Sequence, residues 1–151
     1  MFKNWSEYAS LPIRIALALI FVVHGSRTLF GVWGGGGLAS AGEHLAAHGV
    51  IPGEFWAVIA GLLGLFGGIA LFIGLLTRWV AAAMAIEMIV LLIAIDLRAG
   101  FWATQGGVEF PLIVLASLLS LVLLGAQHYA VDEHLHGWWG DLPSHQAGAH
   151  V

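Results

Sequence analysis

The chain has no cysteine in its 151 residues. That excludes disulfides, thiolate metal sites and any thiol redox chemistry carried by this polypeptide. Charge is nearly as scarce: Asp, Glu, Lys and Arg together make up 9% of the sequence, against about 25% in an average soluble domain. Such a composition cannot cover a water-facing surface. The formal net charge of −4 comes with no basic patch, which excludes nucleic acid as a partner. Only four prolines occur, so long helices are interrupted at few places. Pro12 and Pro111 each stand where a first helical turn begins, a position at which the missing N–H is harmless. The opening MFKNWSEYASLP has a single Lys, the acidic Glu7, and no small-residue cleavage site after the first apolar run. That run is therefore expected to be a retained helix and not a cleaved signal peptide.

What the chain has in abundance is hydrocarbon. Hydrophobic residues make up 60% of it and the mean hydropathy is +0.92, which identifies an integral membrane protein. A helix needs about 20 apolar residues to cross a hydrocarbon core about 30 Å thick. Four segments qualify: 11–30, 55–76, 79–97 and 108–126. Short connections between the last three predict an all-α, four-helix up-and-down bundle in the membrane. Gly31, Trp33 and the run Gly34 to Gly37 end the first segment. Residues 40–48 read as a weak helix stopped by Gly49 and Pro52-Gly53, an interfacial or re-entrant element longer than a bundle loop requires. In the second segment, Ala60, Gly64 and Gly68 form a small-xxx-small ridge, which lets helix backbones approach closely. Ser117 and Ser120 in the fourth can bond back to their own helix carbonyls and need no further role.

Lys and Arg placement gives the orientation. With the N-terminus inside, Lys3, Arg14 and Arg78 fall on the cytoplasmic side and Arg27 and Arg98 on the far side. Both termini are expected to be cytoplasmic.

Ionisable side chains at membrane depth are costly, by roughly 2.5–3.5 kcal/mol each on insertion scales, and need partners or a purpose. Depth follows from position at about 1.5 Å per residue. Arg14 and Glu87 lie within reach of one another in depth, and a structural ion pair between them is expected. His24, Arg27, Asp96, Arg98 and Glu109 fall in one layer near the outer surface, beneath a loop with Glu43, His44, His48 and Glu54. Nine residues separate Asp96 from Glu87, a half turn, so the two are expected on opposite faces of their helix. The outer layer has two readings. It is a set of interhelical salt bridges with His24 as a neutral, hydrogen-bonded core residue, or it is a membrane-depth site that binds a polar head group and moves protons. Reducing a quinone, or oxidising the quinol, needs that second combination of apolar walls, donors to carbonyl oxygens and a titratable path to water.

The C-terminal stretch holds five of the eight histidines and the pair Trp138-Trp139, which suits docking at headgroup level. Asp132, His134 and His136 have metal-ligand chemistry, but His-x-His in an acidic tail is read as solvated. No metal site is expected.

Arg14 in RIALALIF, then His24-Gly25-Ser26-Arg27 and Leu29-Phe30-Gly31, resemble the "LR…HGxxKLFG" opening of the DoxX family. Pro52-Gly53, Ala60-Gly61, Gly67-Gly68 and Leu75 to Arg78 follow in family order. Gly100-Phe101-Trp102, Gly107 to Pro111, Gly125, Tyr129 and Asp132 complete the match. The resemblance covers roughly residues 11 to 132 and divides the chain into a DoxX-like membrane domain, 1–132, and a His/Trp-rich tail, 133–151. It implies a bacterial or archaeal inner-membrane protein related to the membrane part of a thiosulfate:quinone oxidoreductase, to subunits of redox and oxidative-stress complexes and, more distantly, to protein-maturation factors. Gly64 and Asp96 depart from the family pattern, which carries a Glu and a His there.

The expected function is a small membrane subunit of an oxidoreductase or electron-transfer assembly, offering a quinone or similar amphiphile a site near the outer leaflet. His24 and Glu109 would exchange protons, Arg27 would hold the polar head and Asp96 would orient Arg27. No haem, iron–sulfur cluster or flavin is expected within the chain: it has no Cys, and His24 is the one histidine at depth. Electrons would come from a partner protein carrying a redox cofactor or from a bound substrate. The alternative is a non-catalytic anchor or assembly factor whose glycine-rich second helix packs on a partner. Transport of a small solute is weaker, because four short helices make a conduit only as a homo-oligomer.

Overall fold

In a computed structural model, residues 10–125 are described; the tail 133–151 and the end of the fourth expected span lie outside them. Five helices follow one another: α1 (Ser10–Phe30), α2 (Gly37–Ala47), α3 (Gly53–Ile73), α4 (Thr77–Ala99) and α5 (Glu109–Leu124). Among the described residues there is no strand. α1, α3 and α4 are long and apolar enough to cross a membrane, and 21 residues of α1 reach about 31 Å. α5 has 16 residues and is apolar throughout its exposed positions. Lipid therefore contacts this protein over most of its helical surface, where residues such as Leu19, Phe66, Ile86 and Leu123 are exposed.

The element expected at 40–48 is a helix beginning three residues earlier. It lies across the start of α3, where Gly42 meets Gly53 backbone to backbone.

α1 and α3 form the tightest pair, antiparallel and in fixed register. The Arg14 side chain reaches Leu71 and Phe72, Ala18 faces Gly68, and Gly25 sits against Gly61 and Gly64. A Cβ on Gly25 would come 2.8 Å from the Gly61 carbonyl oxygen, and one on Gly68 3.0 Å from the Ala18 carbonyl oxygen. The small-residue ridge of α3 is thus filled by α1 of the same chain, so it is not a free surface for a partner, as the anchor reading supposed. Gly74, at φ 73°, caps α3 in the left-handed conformation and the chain turns straight into α4.

The core collects one face from each long helix: Leu17, Ala18 and Phe21 of α1, Leu71 of α3, Ala81, Met84 and Ala85 of α4, and Val114, Leu118 and Leu121 of α5. Phe21 and Val114 stand at its edge, where it meets the cavity described below. Towards α2 the packing loosens, and α4 opens into a π-helical turn at Leu92–Asp96 before its last turn, Leu97–Ala99.

Candidate functional site

Where the packing loosens, a cavity of about 170 Å³ opens between α1, α3, α4 and α5. Gly25, Ala60 and Gly64 supply one wall that is almost bare backbone, and Phe21, Met88, Leu91, Phe110 and Val114 supply an apolar remainder. The polar groups are three: His24 and Thr28, one turn apart on α1, and Glu87 on α4.

The His24 ring is fixed by its own helix, its Nδ1 lying 2.9 Å from the Ile20 carbonyl oxygen. That oxygen can only accept, so Nδ1 donates, and in the neutral ring Nε2 is left as an acceptor. Glu87 presents a buried Oε2 that has no hydrogen-bond partner. An unpaired carboxyl oxygen in an apolar setting is expensive to maintain, and such exceptions call for an explanation such as a ligand.

The structure separates groups that depth arithmetic put together. Arg14 is completely buried and bonds to the end of α3. Its Nε–H donates to the Leu71 carbonyl at 3.1 Å and its Nη2–H to the Phe72 carbonyl at 3.2 Å. These are last-turn carbonyls of α3 at the negative end of the helix dipole, and the Leu71 carbonyl also accepts the Gly74 N–H at 3.2 Å. The expected Arg14–Glu87 ion pair is therefore corrected: Arg14 is bound to a helix C-terminus, and Glu87 faces the cavity.

The expected outer layer also divides. Arg27 lies over the glycine loop, where a Cβ on Gly35 would be 3.2 Å from its Nε. Glu109 accepts the Ala103 N–H on Oε2 at 3.0 Å. It closes a loop held by backbone bonds from Val108 N–H to the Gly100 carbonyl, Glu109 N–H to the Phe101 carbonyl and Gly107 N–H to the Trp102 carbonyl, each 3.0 Å. The run from Gly100 to Pro111 is thus a loop clamp that seats Phe110 in the cavity wall. Asp96 stands at the end of the π turn, near His44 and His48 of α2. Glu87 lines the cavity and Asp96 does not. Of the six residues singled out, the cavity brings together His24 and Glu87; Arg27, Asp96 and Glu109 are not in its wall.

Thr28, Met88, Leu91 and Phe110 were not legible as site residues. The spacings His24–Thr28 and Glu87–Leu91 are one helical turn each and were the available signal. Phe110 had none, since its position depends on the loop closure. No group of three or more His, Asp or Glu able to hold a metal occurs among the described residues.

Comparison with known proteins agrees with this architecture. The DoxX family matches residues 9–97. A protein of Bacillus subtilis (strain 168) named "Putative oxidoreductase CatD" is 30% identical over 126 residues, covering 83% of this chain and 86% of that one. No solved structure gives a significant match.

Proposed function

Given that the chain belongs to the DoxX family, we propose that it is a membrane subunit of an oxidoreductase assembly and that its cavity takes the ring of a quinone-class amphiphile. The observation that carries this reading is a ring-sized, apolar cavity at membrane depth with an unpaired Glu87 oxygen and His24 in its wall. An apolar cavity of about 150 Å³ is enough to hold a benzene ring, and this one is slightly larger. The oxidoreductase name of the Bacillus subtilis relative supports the class of assembly.

A quinone, when bound, supplies two-electron and two-proton chemistry. The chain's own part is to exclude water with Phe21, Met88 and Val114, to orient the ring between α1 and α4, and to exchange protons at His24 Nε2 and Glu87 Oε2. Thr28 adds a hydroxyl that can donate or accept. Arg27 and Glu109 have no part in this version of the site. Electrons come from a partner protein that carries a redox cofactor. The assembly sits in a bacterial or archaeal inner membrane with both termini of this chain on the cytoplasmic side.

The test is thermal unfolding of the protein in lipid nanodiscs with and without a decyl benzoquinone. The quinone should raise the transition temperature in proportion to its occupancy. Ala60→Phe, which fills the cavity with a ring of its own, should abolish that shift, and Glu87→Gln should reduce it at least severalfold. A shift that survives Ala60→Phe, or no shift in the unaltered protein, would count against a ring site here.

A further inference from the structure

We propose that the cavity distinguishes the two oxidation states of its ring ligand, and that it holds the dihydroxy form, a quinol, more tightly than the quinone because its fixed polar groups are acceptors. The proposal rests on the ring-site reading above and adds a direction to it.

Because His24 Nδ1 is committed to the Ile20 carbonyl, the neutral imidazole can meet a ligand only through the Nε2 lone pair. No described residue donates a hydrogen bond to Nε2. On α4 the second group is Glu87 Oε2, buried and without a donor. A carboxyl oxygen keeps an acceptor lone pair whether or not the group carries a proton. Thr28, and Glu87 when it carries a proton, can donate or accept, whereas the neutral His24 ring can only accept, so the fixed bias of the wall favours a ligand that donates.

A quinone offers carbonyl oxygens and no donor, so it would set lone pair against lone pair at His24. A quinol offers two O–H groups on opposite sides of the ring, and the wall has an acceptor on α1 and another on α4. Each hydroxyl that donates removes one unsatisfied acceptor from an apolar environment. A single hydrogen bond of this kind is worth about tenfold in affinity. The ring, tail and apolar contacts are the same for both forms, which leaves the preference to the hydroxyl protons.

The experiment uses the full chain in nanodiscs and three probes: a decyl benzoquinone, its quinol kept reduced under argon, and the di-O-methyl ether of that quinol. Calorimetric titration should show the quinol binding about tenfold tighter than the quinone, with the ether no tighter than the quinone. For a two-electron couple a tenfold preference for the reduced form raises the bound potential by about 30 mV. His24→Leu should reduce the quinol's advantage over the quinone at least severalfold. The ether needs no substitution, so the comparison stands even where that variant fails to assemble. Quinone binding as tight as quinol, or an ether that matches the quinol, overturns the preference and leaves the ring-site reading intact. Failure of all three probes to bind overturns both.

Discussion

The two halves of this bundle treat an ionisable side chain in opposite ways. In the Arg14 half, a completely buried guanidinium is bonded to two carbonyls at the end of α3, and the core residues Leu17, Leu71, Leu118 and Leu121 are packed with little or no exposure. In the other half, Glu87 leaves Oε2 unpaired and the side chains around it stop short of filling the space. The first half has spent its polar groups on the fold. The second has left them facing a cavity, and that contrast separates the two ionisable groups. Small residues serve both halves differently: Gly68 against Ala18 brings backbones together in the closed half, whereas Ala60 and Gly64 also leave one wall of the open half without side chains.

The comparison breaks most sharply at Arg14. Arg14→Ala removes two charge-assisted hydrogen bonds to the end of α3 and empties a fully buried position, which should destabilise the protein by roughly 3 kcal/mol. Thermal unfolding in detergent would show it, and abundance in the membrane should fall with it. A variant as stable as the parent would mean that the closed half does not depend on this anchor. Gly25→Leu should come next, at about 2 kcal/mol, since its side chain is driven into the Gly61 and Gly64 backbone with no room to relax. Here the loss should appear in the same melt and be accompanied by loss of ring binding, because Gly25 belongs to the α1–α3 contact and to the cavity wall alike. Glu109→Ala should have the smallest effect, about 1 kcal/mol from one hydrogen bond that closes a loop. Its quinone affinity, measured by titration, should stay within about twofold of the parent. A large loss of affinity at unchanged stability would return Glu109 to the site and dissolve the division between the halves.

Much of the fold was legible in order and almost none of the site was legible in partnership. The apolar runs located α1, α3 and α4 to within a few residues, because a hydrocarbon core about 30 Å thick demands their length. The motif residues His24 and Gly25 were noticed, and both stand on the cavity. Depth arithmetic, however, has one coordinate. It put Arg14 beside Glu87 and Arg27 beside Asp96 without knowing the rotation of each helix, and it knew nothing of carbonyls as partners for arginine. One local feature then moved residues further: the loop clamp that takes Glu109 for itself and delivers Phe110 to the wall.

By itself the sequence determined a membrane protein made of helices, with antiparallel neighbours joined by short turns and a glycine ridge on the second long helix. Composition and run length settle those, since the bilayer leaves backbone polar groups nowhere to go but into a helix. The tertiary structure alone decided which charge is structural and which is left open. That choice depends on helix rotation and register, on whether the Arg14 guanidinium meets the end of α3 and whether anything reaches Glu87. Neither is written in the spacing of residues along one chain, because each is fixed by side chains that meet across helices.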